Sequence, residues 1–263
     1  MTLQRSGGAA AFSSTAAAYA DTMAPAIVPM AREVVRRATL AAGESVLDAG
    51  TGTGTAAGMA RGDGRRIVGL DAAAGMLAIA RQEVPEVDFV EADFTSLPFE
   101  AGVFDVVLAV HALLFADDRV AALGEWHRVT RIGGRLSLSV PGPGDAVPTT
   151  VLGGVYERHG LTWGDDYPTA AEVATWAAAA GWSEVEVDED PTTVIPLADD
   201  AQYRTWLKVG AKGRATAGWT DEHRERFARE LMEATPRGPD GGYVLPFGAI
   251  YLSAVKRGPY PPT

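Results

Sequence analysis

Residues 44–54 read E-S-V-L-D-A-G-T-G-T-G, and the fold class follows from how this stretch is read. Ser45, Val46 and Leu47 bring a buried strand to its carboxyl end, and Asp48 is followed by glycines at every second position, Gly50, Gly52 and Gly54. Residues without a Cβ allow left-handed backbone and let a ligand approach to contact distance. A short helix is expected next, over Thr55 to Arg61. Dinucleotide-binding turns need G-x-G-x-x-G, in which the third glycine brings the helix onto the strand and the pyrophosphate sits at the helix N-terminus. Position 55 is threonine, so that pattern fails. An acid two residues before the first glycine also repels a pyrophosphate, whereas it attracts an ammonium group.

Working outward, R-I-V-G-L-D (residues 66–71) reads as a second buried strand ending in Asp71, 17 residues past Gly54. That is close to the roughly 20-residue interval at which such folds place a carboxylate on ribose hydroxyls. After a helix through A-A-A-G-M-L-A-I-A-R, V-D-F-V-E-A-D (residues 87–93) gives a third strand ending in Asp93, followed by Phe94. Asp93 can accept from an adenine amino group and Phe94 can offer a ring edge or face to the base. Phe104 to Val110 forms a fourth strand that delivers His111 at its end. In an open parallel sheet the carboxyl ends share one edge, where ligands bind. Taken singly, Asp48, Asp71 and Asp93 could each be a helix cap or a solvated turn. Together with the glycines they specify a nucleoside pocket.

The next segment contains E-W-H-R-V-T-R-I-G-G-R-L, residues 125–136, read as the end of a helix, a Gly-Gly turn and a fifth strand. It is similar to the E-x-x-R-V-L-x-P-G-G-x-L signature of class I S-adenosylmethionine (SAM) methyltransferases of the ubiquinone/menaquinone-biosynthesis type. Glu125, Arg128, Val129, Gly133, Gly134 and Leu136 match, and Ile132 stands where proline is usual. The D-x-G-x-G-x-G loop resembles the first motif of the same family. This resemblance implies an α/β, doubly wound, Rossmann-like, mostly parallel seven-stranded sheet of order 3-2-1-4-5-7-6. Its strand 7 is antiparallel, and helices are inserted between strands 6 and 7. It also implies one domain over 1–263, with a cofactor half at 12–141 and an acceptor half at 142–263 whose inserted helices span about 198–234. SAM is the cofactor so implied and S-adenosylhomocysteine its product. Tyr19, Asp48, Ala49, Gly50, Thr51, Gly52, Gly54, Asp71, Ala72, Met76, Ala92, Asp93, Phe94 and Val110 are the candidate cofactor-binding residues. His111 is the candidate catalytic residue, a general base should the acceptor be a hydroxyl. Equally, it could touch the methionine part of the cofactor or pack among Leu113, Leu114 and Phe115.

Upstream, Phe12 and Tyr19 are placed to cap the site, and Ile27, Ala31, Val34, Val35 and Ala38 recur at helical spacing, predicting an amphipathic helix from Pro25 to Ala41. Downstream, Thr169 and Glu172 form a capping box with Gly181 as the helix stop. S-E-V-E-V alternates as a strand, helices follow at about 198–210 and 220–234, and Y-V-L-P-F-G-A-I-Y-L-S-A-V is read as one closing strand. Trp206, Trp219, Phe227, Tyr243 and Phe247 line a substrate cavity or belong to the core.

Composition narrows the function. The 263 residues include no cysteine, which removes thiolate zinc sites, disulfides and cysteine nucleophiles, and no metal site is expected. A net charge of −11, from 34 acids against 23 bases, disfavours a nucleic-acid substrate. No apolar run is long enough to span a bilayer, and the opening M-T-L-Q-R-S-G-G lacks a hydrophobic core before a cleavage site, so a cytoplasmic location without membrane attachment is expected. A homodimer is left open. The expected reaction is methyl transfer from SAM to an O or C atom of a small apolar or aromatic acceptor in secondary-metabolite or quinone biosynthesis. The alternatives are a methyltransferase-fold enzyme catalysing cyclisation or rearrangement, a SAM-binding regulatory subunit, and a nicotinamide oxidoreductase.

Overall fold

The computed structural model describes residues 9–143, 146–162 and 167–258. Its first half is two short-looped βαβ runs behind an N-terminal helical pair. α1 (Ala9–Ser14) and α2 (Ala16–Arg37) lead to β1 (Ser45–Ala49), α3 (Thr55–Ala60), β2 (Arg66–Asp71), α4 (Ala74–Glu83), β3 (Asp88–Glu91) and β4 (Phe104–Val110). A 3₁₀ turn at Leu113–Phe115 precedes α5 (Arg119–Val129) and β5 (Thr130–Pro141). There follow α6 (Ala146–Arg158), α7 (Ala170–Ala179), β6 (Ser183–Asp190), β7 (Val194–Leu197), α8 (Asp200–Leu207), α9 (Gly210–Ala215), α10 (Asp221–Ala234), β8 (Tyr243–Pro246) and β9 (Ala249–Val255).

β1 lies inside the sheet, between β2 and β4, because its apolar residues require cover on both faces: Val46, Leu47 and Ala49 are fully buried. It pairs in parallel with β2 and with β4, and the whole sheet runs β3-β2-β1-β4-β5-β9-β6, with β9 antiparallel to both β5 and β6. This is the expected order, the last strand being β9 because two short strands intervene. One face is covered by α5 and α7, which contribute Leu123, Trp126, Val173 and Ala177. The other is covered by α2 and α3, with Met30, Ala31, Val34 and Ala57.

Three readings are corrected. The helix predicted to open at Pro25 opens at Ala16 and runs through Pro25 and Pro29. Proline lacks an N–H and so frees the carbonyl four residues back; here that carbonyl belongs to Asp21, and Gln202 Nε2 of α8 donates to it at 2.8 Å. The Gly133–Gly134 pair lies inside β5, not in a turn before it, and a Cβ on Gly134 would come within 2.6 Å of Thr130 Cγ2 and 2.7 Å of the Asp105 carbonyl oxygen. Finally, the closing strand is two strands. β8 pairs with β7 in a separate small sheet, and the chain bends at Phe247–Gly248, where both N–H groups donate to the Thr193 carbonyl at 3.0 and 3.1 Å and Gly248 takes φ +63°. The inserted helices share a second core with α2 and α6, which encloses Trp206, Phe227 and Tyr243 and is flanked by Trp219. Of the five aromatics considered for the substrate cavity, Phe247 alone reaches the cavity described below.

Candidate active site

Asp48 organises the glycine loop. Its Oδ2 accepts from Thr51 Oγ1 at 2.7 Å and from the Ala57 N–H in the first turn of α3 at 2.9 Å. The carboxylate is 1% exposed, and burial pushes its pKa up to about 6 against those two stabilising bonds. Gly50 has φ +74°, and a Cβ there would sit 2.5 Å from Ala112 Cβ. Gly52 has φ +55° with nothing within 4 Å of its missing Cβ, so this is the glycine that opens onto free space. Gly54 differs: its missing Cβ would face Phe89, Ala80 and Val84 at 3.2–3.4 Å, so it serves helix-to-strand packing.

Asp71 closes the loop from the neighbouring strand. One of its oxygens accepts from the Gly52 N–H and the other from the Ala73 N–H, each at 2.9 Å, and burial raises its pKa. Each oxygen retains acceptor capacity for a ligand hydroxyl. Asp93 follows β3, which ends at Glu91, and its Oδ1 accepts from both the N–H and the hydroxyl of Thr95. The loop behind it is held by the Glu125/Arg128 pair. Arg128 bonds Glu125 and donates to the carbonyls of Leu97 and Phe99, while Glu125 accepts from the Leu97 N–H. Trp126 Nε1 donates to the Phe94 carbonyl. The signature that marked the family is therefore a clamp on the loop carrying Asp93 and Phe94.

These strand ends surround a cavity of about 590 Å³, within the range of small-molecule sites. Tyr19, Gly50, Gly52, Asp71, Ala72, Met76, Asp93, Phe94, Val110 and His111 line it. Asp48 and Thr51 line an adjoining chamber of about 30 Å³, shared with Thr53, Thr55, Gly50 and Gly52, enough for a water or the head of an ammonium group. Ala49, Gly54 and Ala92 line neither space. Tyr19 borders both, and burial together with the charge of Asp71 raises its pKa. Both expected caps reach the site: Phe12 lines the cavity and meets Phe115 edge-on at 5.0 Å. α1 is seated because Gly75 lets Ser13 approach, a Cβ there falling 2.4 Å from the Ser13 carbonyl oxygen.

His111, at the end of β4, has φ +55°, a left-handed conformation uncommon outside glycine. Its Nε2 lies 2.6 Å from Met30 Sδ, its ring stands edge-on to Phe247 at 5.4 Å, and its Nδ1 is buried without a partner. Burial lowers its pKa to about 3. Met23, Ile27 and Pro141 also line the cavity, and Ile27 borders the chamber beside Asp48 as well. Sequence reasoning did not single them out, since apolar residues carry no chemical signal of their own. Among the described residues no group of three or more His, Asp or Glu side chains could hold a metal ion, and no helix is long and apolar enough to cross a membrane.

A seven-stranded sheet of this order, with a cavity over an acid-led glycine loop, defines a class I methyltransferase fold. A methyltransferase-domain family model matches residues 47–138. The demethylmenaquinone methyltransferase of Beutenbergia cavernae is 34% identical over 210 residues, covering 77% of this chain and 84% of that protein. The malonyl-[acyl-carrier protein] O-methyltransferase of Serratia marcescens is 33% identical over 138 residues, 52% of this chain and 54% of the relative. The crystal structure of Bacillus subtilis YcgJ superposes with a TM-score of 0.58 at 21% identity, covering 87% of this chain and 98% of that one, a likeness of fold alone. The chain belongs to the SAM-dependent small-molecule methyltransferases of the ubiquinone/menaquinone-biosynthesis type. It is an enzyme that transfers a methyl group to a small acceptor, which sets aside the regulatory-subunit and oxidoreductase readings; nothing favours cyclisation.

Proposed function

We propose that this enzyme binds SAM across the glycine loop and methylates an O or C atom of a small, uncharged, largely apolar acceptor in quinone or secondary-metabolite biosynthesis. The observation that carries the acceptor class is charge. Among the described residues no lysine or arginine lines the cavity, whereas Asp71, Asp93, Asp117 and Asp118 do. A carboxylate or phosphate acceptor would meet no side-chain cation among the described lining residues and would face these four acids.

The pocket fits the cofactor on its own terms. The open space at Gly52 admits the methionine part, the chamber beside Asp48 admits its ammonium group, Asp71 has lone pairs left for ribose hydroxyls, and Asp93 and Phe94 flank the adenine position. Bound SAM supplies an electrophilic sulfonium methyl for in-line displacement. The chain's own part is to align the two ligands and exclude water, which α1 and α2 do by covering the site with Phe12, Tyr19, Met23 and Ile27. His111 touches the acceptor. With its pKa lowered to about 3 it is neutral at physiological pH and a weak base, so it orients the acceptor more than it deprotonates it. Residues 12–141 thus supply the cofactor half; Phe247 is the described contribution of 142–263 to the acceptor end, which also draws on α2.

The test is calorimetry with SAM, S-adenosylhomocysteine and NAD, followed by mass spectrometry of reactions with neutral and anionic acceptors. Tight NAD binding without a response to SAM, or turnover of carboxylate acceptors in preference to neutral ones, would overturn the reading.

A further inference from the structure

α2 is interrupted where it covers the site. Pro25 and Pro29 carry no N–H, so the carbonyls of Asp21 and Pro25 lose the donors that a continuous helix would give them. Beyond the break, Met30, Ala31 and Val34 are fully buried against the sheet. Before it lie Tyr19 and Met23, which line the cavity. The cover is thus carried by the stretch with the weaker backbone, and the Asp21 carbonyl between those two residues is held from outside, by Gln202 Nε2 at 2.8 Å. The orientation of that amide follows from its surroundings. Gln202 stands in the first turn of α8, behind the N-cap Asp199, whose side chain accepts from the Gln202 N–H at 2.8 Å. In return Gln202 Oε1 accepts from the Ala198 N–H at 2.6 Å, a capping box shifted one residue back. A backbone N–H can only donate and a carbonyl can only accept, so the oxygen faces Ala198 and the nitrogen faces Asp21. A glutamate would serve this cap as well and would suit a helix N-terminus better. Only the amide has a donor to spare for α2.

We infer that Gln202 is a positioning residue for cofactor binding. From the excursion that also brings Phe247 to the cavity, its amide pins the proline-broken stretch of α2, and with it Tyr19 and Met23, over the bound cofactor. The inference rests on the reading that SAM lies beneath α2, and it adds a part for the acceptor half in holding the cofactor. No described residue of α8 lines the cavity, so Gln202 acts only through α2. The bond lies at the surface, where water can replace it in part, so its loss loosens the cover without unfolding either helix.

Gln202→Glu separates the two duties of the side chain, because it keeps the acceptor for Ala198 and sets an oxygen against the Asp21 carbonyl. It is expected to weaken S-adenosylhomocysteine, measured by calorimetry, about three- to tenfold, the worth of one hydrogen bond. The loss should appear as faster release of tritiated S-adenosylhomocysteine in a chase and faster hydrogen exchange over residues 19–24 of the complex, with the melting temperature of the free enzyme little changed. Pro25→Ala restores the N–H that the Asp21 carbonyl lacks, and in that background Gln202→Glu should cost less than about twofold, the coupling expected of two residues serving one atom. A glutamine that served only the fold of α8 would cost the same with either residue at position 25. Unchanged affinity and release in Gln202→Glu, or a loss undiminished in the Pro25→Ala background, overturns the inference while leaving methyl transfer intact. Failure of the wild type to bind S-adenosylhomocysteine would instead strike the cofactor reading.

Discussion

Cofactor binding is expected to be linked to the titration of Asp48, and the size of the effect can be worked out. Burial raises this carboxyl to about 6, so in the free enzyme about nine-tenths of the molecules carry the charge at pH 7 and about one-tenth at pH 5. If the ammonium group of SAM needs the charged form, its dissociation constant should rise about tenfold between those pH values, with half a proton released per binding event near pH 6. The stability of the free enzyme runs the other way. A carboxyl whose folded pKa lies above its unfolded value contributes stability that is present below about 3.8 and lost as pH rises through about 6, at most about 3 kcal/mol here. Asp48→Asn should therefore be as stable as wild type or more so at pH 7, yet bind SAM more weakly by about 1.5–3 kcal/mol, the range for a hydrogen bond to a charged group, and show no pH slope. Isothermal titration calorimetry at pH 5, 6 and 7, in buffers of different ionisation enthalpy, counts the protons. A flat affinity, or a slope that survives in Asp48→Asn, would refute the reasoning.

Two alanines in the glycine loop should separate. Gly50→Ala places a methyl on Ala112 at positive φ and should cost about 2–5 kcal/mol in denaturant unfolding, from strain and overpacking together. Gly52→Ala meets no neighbour, so it should cost only the left-handed penalty, about 1–2 kcal/mol, while its methyl enters the cavity and weakens SAM binding measured by calorimetry. Asp71→Ala should weaken SAM by about 1.5–3 kcal/mol in the same assay, with some loss of melting temperature because the Gly52 and Ala73 N–H groups lose their acceptor. Arg128→Ala should free the Leu97 and Phe99 carbonyls, speeding hydrogen exchange over residues 93–99 and raising the dissociation constant for SAM.

The cofactor end was legible because it is built from backbone geometry that few residues satisfy. Gly50 and Gly52, and acids at three successive strand ends, leave a pattern in the chain itself. The acceptor end was harder to read. Met23, Ile27 and Pro141 look like core in any sequence, and Phe247 was one aromatic among five; all five pack into or against the second core, and Phe247 alone also reaches the cavity and stands against His111. The start of α2 was misread for a local reason. Pro25 is a sound N1 residue, and nothing nearby announces that Gln202, far along the chain, satisfies the carbonyl it frees. Gly54 was placed with the ligand because it shares the alternation, but the loop has already turned by then and its neighbours are Phe89 and Val84.

The bend at Phe247–Gly248 gives the excursion between β6 and β9 a fixed return point on the sheet. The excursion through β7, the inserted helices and β8 departs just after Thr193 and returns to the carbonyl of that same residue through two main-chain hydrogen bonds that no side chain supplies. A transplanted excursion from a relative would rejoin the sheet with a glycine at the return and an amide donor for the Asp21 carbonyl, and would also have to fit the apolar faces of α2 and α6 that share its core. Exchanging it would change the ring that stands against His111 and leave the strand ends around the glycine loop untouched. The return to the sheet is thus held by a staple of backbone atoms, whatever side chains the excursion carries.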